Sequence, residues 1–217
     1  MAGSTLGTIL KVTTWGESHG KGIGVVVDGC PAGLPLSEED IQAYLDRRKP
    51  GQSRFTTKRQ EADRVEILSG VFEGKTTGTP ISMAVMNTDQ RSRDYGNIME
   101  VYRPGHADYT FDEKYGFRDY RGGGRSSGRE TIGRVAAGAI AARLLKSLGI
   151  TVCAYTKAVG PYEADPAQFD PEEMYRNRLY MPDAGAAALA EAYLDRMMSE
   201  CNSVGGVVEC VIDGQIG

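Results

Sequence analysis

Short runs of β-branched and apolar residues recur along the chain, and glycine-rich or polar segments separate them. Residues 8–14 and 23–28 are the first two such runs, with glycines close to both. This pattern is typical of β-strands, and the short connection between the two runs predicts a hairpin. Further strands are predicted at residues 65–72, 81–86, 150–158 and 206–212.

Apolar residues at helical spacing occur in three other segments. The first follows Ser37, whose spacing to Asp40 favours a capping box, and it ends before Pro50. The other two predicted helices cover residues 130–148 and 184–200. Strands and helices are mixed without a regular βαβ rhythm, which favours the α+β class.

The segment from residue 87 to residue 128 has little periodicity and is rich in glycine, tyrosine, arginine and aspartate. Irregular segments of this length inside a globular chain are usually functional or disordered. We therefore expect candidate functional residues here.

The composition is that of a globular protein with one sizeable core, since 41% of the 217 residues are hydrophobic. We expect a single domain over residues 1–217. The N-terminus lacks the basic and apolar regions of a signal peptide, and no apolar run approaches the ~18 residues that span a bilayer. We therefore expect a cytoplasmic protein without a membrane partner.

The four cysteines show no CxxC spacing, which argues against a zinc site and favours thiols over disulfides. Cys153 and Cys210 fall within apolar runs and are expected to be buried.

Charge is distributed unevenly, although the net charge is only −4. Residues 1–46, 47–134 and 135–217 carry net charges of −4, +5 and −5. Thirteen of the seventeen arginines lie in the middle segment, which indicates a small anionic ligand. Nucleic acid is a weaker expectation, because proteins that bind a duplex are usually basic overall.

The chain contains only two histidines, His19 and His106, and both lie in glycine-flanked polar segments. Histidine has the side-chain pKa nearest neutrality, so two of them in such loops suit the delivery and removal of protons. The structural alternative is that both are ordinary surface histidines.

Residues 121–131 combine four glycines, two serines and three arginines, and they lead into the predicted helix 130–148. Glycines allow close approach to a ligand, and a helix start presents unsatisfied N–H groups, so the segment predicts a phosphate cradle. The alternative is a flexible RGG-like segment that binds RNA.

A second basic cluster, seven residues between Arg47 and Arg64, shares its loop with serine and threonine donors. Such donors suit carboxylates and phosphates, whereas the alternative is a solvated surface run.

Two motifs resemble known sites only superficially. The Gly-x-Ser-x-Gly at residues 16–20 matches a hydrolase nucleophile elbow at Ser18, but the residues after it are not helical. Residues 70–76 imitate a Walker A loop with one residue too few between the glycines.

Five segments in series resemble chorismate synthases: Gly-Glu-Ser-His-Gly at 16–20, Arg-Arg-Lys-Pro-Gly-Gln-Ser-Arg at 47–54, and the segments 69–81, 103–108 and 122–131. The resemblance implies a β-α-β sandwich with a helical layer between antiparallel or mixed sheets. It implies a lyase that converts 5-enolpyruvylshikimate 3-phosphate to chorismate by trans-1,4 elimination of phosphate. Reduced FMN (FMNH2) is the implied cofactor, and a homotetramer is the implied assembly.

The resemblance also implies roles for individual residues. His19 and His106 match two catalytic histidines, one assigned to protonation of the reduced flavin and the other to protonation of the departing phosphate. Arg125, Ser126 and Ser127 match a triplet that contacts the flavin.

Four arginines are implied to bind anions. Arg48 and Arg54 match a pair to which contacts with a nicotinamide phosphate are also attributed, so NADPH is an implied reductant of the flavin. Arg129 and Arg134 complete the predicted substrate-binding set.

Members of this family are substantially longer, so we expect the chain to be the truncated N-terminal part of a longer protein and to be inactive alone. Two other functions stay open at this stage: a serine hydrolase at Ser18 and an RNA-binding module that uses the arginine-rich segment.

Overall fold

The computed structural model describes residues 3–51, 55, 62–87, 99–120 and 123–214. The chain divides into two compact units, of which the first comprises Met1–Gly51 and Lys58–Leu144 and the second comprises Gln52–Thr57 and Leu145–Gly217. Whether the two units make one domain stays a prediction.

The first unit contains a five-stranded antiparallel sheet with the strand order β1-β2-β3-β7-β4. Its strands are β1 (Thr5–Leu6), β2 (Lys11–Gly16), β3 (Gly22–Asp28), β4 (Val65–Ile67) and β7 (Ile81–Met86). The predicted hairpin is confirmed as the β2–β3 pair, which brings the loop containing His19 to one end of the sheet.

The predicted strand 65–72 is interrupted in the structure. After β4 the chain bends at Gly70, and a small hairpin follows from β5 (Val71–Phe72) and β6 (Lys75–Thr76). Gly70 has φ +81°, and a Cβ there would lie 2.7 Å from Cα of Ile81. The bend therefore requires glycine, and the apolar run alone did not reveal it.

Two helices complete the core of the first unit. Helix α1 (Glu38–Arg48) has the predicted capping box between Ser37 and Asp40, and it buries Ile41 and Leu45. Helix α3 (Thr131–Ser147) buries its apolar face in the same core. The central strands β3 and β7 supply most of the remaining core side chains.

A further helix, α2 (Asp108–Tyr115), lies within the segment that was predicted to be irregular. It is only 8 residues long, buries only Asp108 and has no side-chain N-cap, so no apolar period marks it in the sequence. Gly116, in the left-handed conformation at φ 69°, ends the helix.

The second unit contains an antiparallel sheet with the order β10-β8-β9 and one helix. These elements are β8 (Thr151–Val159), β9 (Tyr162–Glu163), α4 (Ala184–Ser199) and β10 (Gly206–Asp213). The α4 N-terminus is capped by Asp183, whose carboxylate accepts from the N–H groups of Gly185 and Ala186.

The predicted burial of Cys153 and Cys210 is wrong. Cys210 is exposed and Cys153 is half-buried, because β10 is exposed along most of its length. Cys30 is the buried thiol, and burial raises its pKa. The α+β class is confirmed, and none of the helices in the described ranges is long and apolar enough to cross a membrane.

Candidate functional site

The first predicted histidine, His19, lies in a tight turn between β2 and β3. Gly16 enters the turn with φ +84°, and the N–H of Gly20 donates to the carbonyl of Glu17 at 3.1 Å. Ser18 and His19 are buried at the centre of the turn, with Ser18 Oγ 3.1 Å from His19 Nδ1. A strand follows this turn, so the strand-to-helix elbow of a serine hydrolase is not formed at Ser18.

The second predicted histidine, His106, precedes α2 and contacts two charged groups through one nitrogen. Its Nδ1 lies 3.1 Å from Oδ1 of Asp108 and 3.2 Å from Nη2 of Arg103. A protonated Nδ1 donates to the carboxylate, whereas an unprotonated Nδ1 accepts from the guanidinium. Nδ1 therefore has a hydrogen-bond partner in either tautomer.

Asp108 is the carboxylate that both His106 and Arg103 contact. Arg103 donates to both of its carboxylate oxygens, from Nε at 2.9 Å and from Nη2 at 2.7 Å, and Arg118 Nη1 lies 3.5 Å away. The carboxylate is 4% exposed. Hydrogen bonds from Arg103 outweigh the burial of the carboxyl and hold the pKa of Asp108 well below its usual range. Asp108 is therefore an anion at any functional pH.

The His106 ring packs directly against the glycine-rich segment. A Cβ at Gly123 would lie 2.6 Å from Cε1 and 2.9 Å from Nε2 of the imidazole, and Gly123 has φ +93°. Both the backbone conformation and the close approach require glycine here. This contact joins two segments that the sequence analysis singled out separately.

The predicted flavin triplet forms internal contacts in the described structure. Arg125 donates to the carbonyl oxygens of Gly16 and Thr14, at 3.0 and 3.2 Å, and to Thr14 Oγ1 at 2.7 Å. Ser126 Oγ donates to the carbonyl of Gly123, and Ser127 Oγ accepts from the N–H of Arg129.

The expected cradle of free N–H groups at the start of α3 differs from what is observed. Two 3-10 turns, Gly124–Ser126 and Gly128–Glu130, precede the helix. Within these turns the N–H groups of Ser126, Ser127 and Glu130 donate to backbone carbonyls. Anion binding by this segment stays a prediction.

Two of the four predicted anion-binding arginines share one carboxylate. Arg48 Nη1 lies 2.6 Å from one oxygen of Asp63, and Arg129 Nη1 lies 2.9 Å from the other. Arg129 is 5% exposed and Asp63 is 2% exposed. Two guanidinium groups around one carboxylate leave a net positive charge.

The other two predicted arginines are separate from this pair. Arg134, half of whose side chain is exposed, donates to Glu130 from Nε at 2.9 Å. Thr14 and Arg125 also contact Glu130, and together with Arg134 they lower its pKa against the opposing effect of burial. Arg54 lies outside the described residues.

Two cavities open near these groups, and Glu17 and Asp119 line both. The smaller, about 260 Å³, is also lined by Gly123, Gly124 and Arg125 and by Phe111 and Tyr115. The larger, about 850 Å³, is mainly lined by aromatic and acidic side chains, which include Tyr102, Asp112, Phe117 and Tyr120. Its volume is within the range of small-molecule sites, about 300–1,000 Å³.

Contacts within the first unit connect most of the predicted site residues. His106 packs against Gly123, and Arg125, two residues further on, holds the start of the His19 turn through Gly16. The side chain of Asn87 binds both that turn and Arg129. The assignment of catalytic and binding roles to these residues stays a prediction.

Sequence reasoning missed Asp63 and Asn87. Asp63 is one of two acids between Arg59 and Arg64, and nothing in the sequence distinguishes it from other loop acids. Asn87 directly follows a predicted strand and is the first residue of the segment 87–128 in which functional residues were expected, and these were the available signals.

Comparison with known proteins identifies relatives over almost the whole chain. A family model described as chorismate synthase matches residues 10–216. The chorismate synthase of Agathobacter rectalis is 68% identical over 214 residues, which are 99% of this chain and 58% of the relative. That of Gluconobacter oxydans is 57% identical over 217 residues, which are 99% of this chain and 60% of the relative. The chain thus spans about 58–60% of the length of these curated relatives.

A similarity of fold accompanies the similarity of sequence. The crystal structure of a chorismate synthase matches 94% of this chain and 58% of that chain, with a TM-score of 0.72 and 32% identity.

Proposed function

Because the chain belongs to the chorismate synthase family, we propose that it forms the N-terminal part of a lyase that acts on 5-enolpyruvylshikimate 3-phosphate. The reaction is a trans-1,4 elimination that yields chorismate and phosphate. The catalytic histidines are His19 and His106. The longer protein is cytoplasmic and a homotetramer in this proposal.

The contact between His106 and Gly123 is the observation that supports this function most strongly. It brings a histidine against the segment proposed to contact the cofactor. In the tautomer whose Nδ1–H donates to Asp108, Nε2 is the nitrogen through which the ring would accept and deliver a proton. Such an imidazole can act as a general acid toward the departing phosphate or the cofactor.

The proposed substrate carries a phosphate and two carboxylates, which calls for cationic partners. The Arg48–Asp63–Arg129 group has excess positive charge, and Arg134 adds a half-exposed guanidinium. Arg54 belongs to the same proposed substrate set. These guanidinium groups hold and orient the anions and do not transfer protons, because arginine stays charged.

The described residues fit the ring of reduced FMN better than its phosphate. Phe111 and Tyr115 line the smaller cavity beside Gly123 and Arg125, and aromatic rings also line the larger one. Flat aromatic surfaces suit a conjugated ring, whereas Glu17 and Asp119 would repel a phosphate. Arg125, Ser126 and Ser127 would hold the ring side of this cofactor. When bound, reduced FMN supplies electron density for the elimination, with no net redox change.

NADPH is the proposed reductant of the flavin, with Arg48 and Arg54 at its phosphate. Arg48 has its Nη1 on Asp63 and its Nε on Thr131 Oγ1, so a phosphate here would have to compete with Asp63.

Phosphate release tests the proposed function. A protein of the relatives' full length, incubated anaerobically with reduced FMN and 5-enolpyruvylshikimate 3-phosphate, should release phosphate and form chorismate. His106→Gln should lower kcat by about 10²–10⁴-fold, the contribution expected of a general acid. Absence of phosphate release by the unsubstituted protein, or full activity of the variant, would refute the assignment.

A further inference from the structure

The turn that contains His19 is bound by a side chain from outside the β2–β3 hairpin. β7 pairs with β3 so that Met86 lies opposite Gly22. One residue further, the N–H of Asn87 donates to the carbonyl of Lys21 at 3.1 Å. The register of the sheet therefore brings Asn87 beside the turn.

The Asn87 amide uses both of its hydrogens on this turn. Nδ2 donates to the carbonyl of Glu17 and to the carbonyl of Gly20, each at 2.9 Å. These two carbonyls flank Ser18 and His19, the two buried residues at the centre. A single NH₂ group thus bridges the start and the end of the turn.

The orientation of this amide is fixed from the opposite side. Asn87 Oδ1 accepts from Nη2 of Arg129 at 2.9 Å. Nη1 of the same guanidinium donates to Asp63, whose second oxygen accepts from Arg48. Arg129 and Asp63 are almost completely buried, so the guanidinium has little freedom to turn away.

We propose that Asn87 is a positioning residue for His19: it fixes the turn through Glu17 and Gly20, while the buried Arg129–Asp63 pair fixes the orientation of Asn87. This deepens the proposed function, because it rests on proton transfer by His19. It also gives Arg129 a second task beside its proposed contact with the substrate.

Only an amide of this length can make these three contacts together. Aspartate has the same shape, but its carboxylate has no hydrogen to donate, and it would face two carbonyl oxygens. Alanine removes all three bonds and leaves Arg129 Nη2 without this acceptor. Glutamine keeps the groups but moves them outward by one methylene.

NMR of the chain with ¹⁵N-labelled histidine tests the proposal, because the chain has only two imidazoles to observe. A His106→Gln variant assigns the two sets of signals. In both Asn87→Asp and Asn87→Ala we expect the ring signals of His19 to shift or broaden, while those of His106 stay unchanged.

Asn177 provides the matched control. It lies in the second unit, and its amide likewise bridges two carbonyls, those of Glu173 and Met181, at 3.0 and 2.7 Å. Asn177→Ala should lower stability and leave both histidine signals unchanged. The proposal is overturned if His19 keeps its signals in the Asn87 variants or responds as much to Asn177→Ala.

If the Asn87 variants fail to fold, hydrogen exchange of the Asn87 side-chain amide in the unsubstituted chain tests the proposal. Both Nδ2 protons of Asn87 are hydrogen-bonded, so they should exchange slowly with solvent and give two well-separated signals. Rapid exchange of these protons would overturn the proposal.

The full-length protein supplies a kinetic test. Displacing a catalytic group by about 1 Å can cost about 10²-fold in rate, so Asn87→Asp should lower kcat by that order and change KM little. An increase in KM at unchanged kcat would contradict a positioning role. The NMR result does not depend on lyase activity. A failure of the positioning proposal can therefore be distinguished from a failure of the proposed lyase function.

Discussion

Gly123 sets how closely the His106 imidazole approaches the glycine-rich segment. We expect Gly123→Ala to displace the ring, because the added methyl group would lie 2.6 Å from Cε1. The left-handed backbone adds about 1–3 kcal/mol of strain. The measurement is the His106 ring signals in NMR, which should shift while those of His19 do not.

Gly128→Ala is the control for this prediction. Gly128 lies in the same segment and has no positive φ, and none of the described residues has an atom within 4 Å of a Cβ built there. If Gly128→Ala perturbs His106 as much as Gly123→Ala, direct contact with Gly123 is not the cause.

The charge of Asp108 should contribute to stability through its buried ion pair with Arg103. The pKa of Asp108 is lower in the folded chain than the usual value of about 3.9. The contribution of this carboxylate to the free energy of unfolding is therefore complete above about pH 3.9, and it is lost as the pH falls through the lower folded-state pKa. Asp108→Asn should cost about 3 kcal/mol near neutral pH, as for one partner of a buried ion pair. Urea denaturation at a series of pH values should show this cost shrinking in acid.

Asp46→Asn is the control for Asp108→Asn, because it removes one partner of an exposed ion pair. Asp46 pairs with Lys49 at 3.0 Å, and both side chains are well exposed. Its loss should cost less than about 1 kcal/mol. A cost for Asp108→Asn that is equally small, or that does not vary with pH, would contradict the buried pair.

At the residue scale, the sequence identified the chemistry of the site better than the contacts that hold it. Two histidines among 217 residues are conspicuous, and so is a run of arginines. Asp63 and Asn87 are ordinary residues in a sequence. They gain their roles from partners far along the chain, such as Arg129, and no local pattern encodes such pairs.

At the element scale, α3 lies close to the sheet because Gly133 allows it. A Cβ at Gly133 would lie 2.9 Å from Cγ2 of Thr14 and 3.0 Å from the carbonyl oxygen of Gly24. Alanine normally favours a helix over glycine, but here we expect Gly133→Ala to destabilise the chain by about 1–3 kcal/mol through overpacking. Thermal or urea denaturation measures the change.

Gly138 in the same helix should behave in the opposite way. Within the part of the chain that the structure describes, no atom lies within 4 Å of a Cβ built there, so Gly138→Ala should stabilise the chain by up to about 1 kcal/mol. The same sign for both substitutions would show that helix propensity, and not the distance to the strand, decides the outcome.

Elements with a strong apolar period agreed with the sequence prediction. The helices α1, α3 and α4 and the strand β7 lie within one or two residues of their predicted bounds. The bend at Gly70 and the helix α2 were missed. The bend at Gly70 depends on contact with Ile81, which is not a sequence neighbour. Helix α2 is stabilised by ion pairs at Asp108 instead of an apolar face.

At the scale of the whole molecule, an apolar strip on the sheet of the second unit is open to solvent. Val208 and Ile212 are 73% and 70% exposed, and Val152, which pairs with Ile212, is 47% exposed. Contiguous apolar surface of this kind promotes association. The double substitution Val208→Ser and Ile212→Ser should therefore reduce concentration-dependent self-association in analytical ultracentrifugation.

Leu189 on α4 is an exposed apolar residue outside this sheet, and Leu189→Ser serves as the control. It should leave the sedimentation profile unchanged. Equal association of the double variant and the unsubstituted chain would contradict a role for the strip.

The sequence by itself determined the family, the α+β class, the main helices and strands, and the types of group available for chemistry. It did so because these depend on residue type and on short-range spacing. Only the tertiary structure decided that His106 packs against Gly123, that Arg48 and Arg129 share Asp63, and that Asn87 spans the His19 turn. Each of these contacts joins residues that lie 15 to 70 positions apart, so it exists only after the strands have paired and the helices have packed.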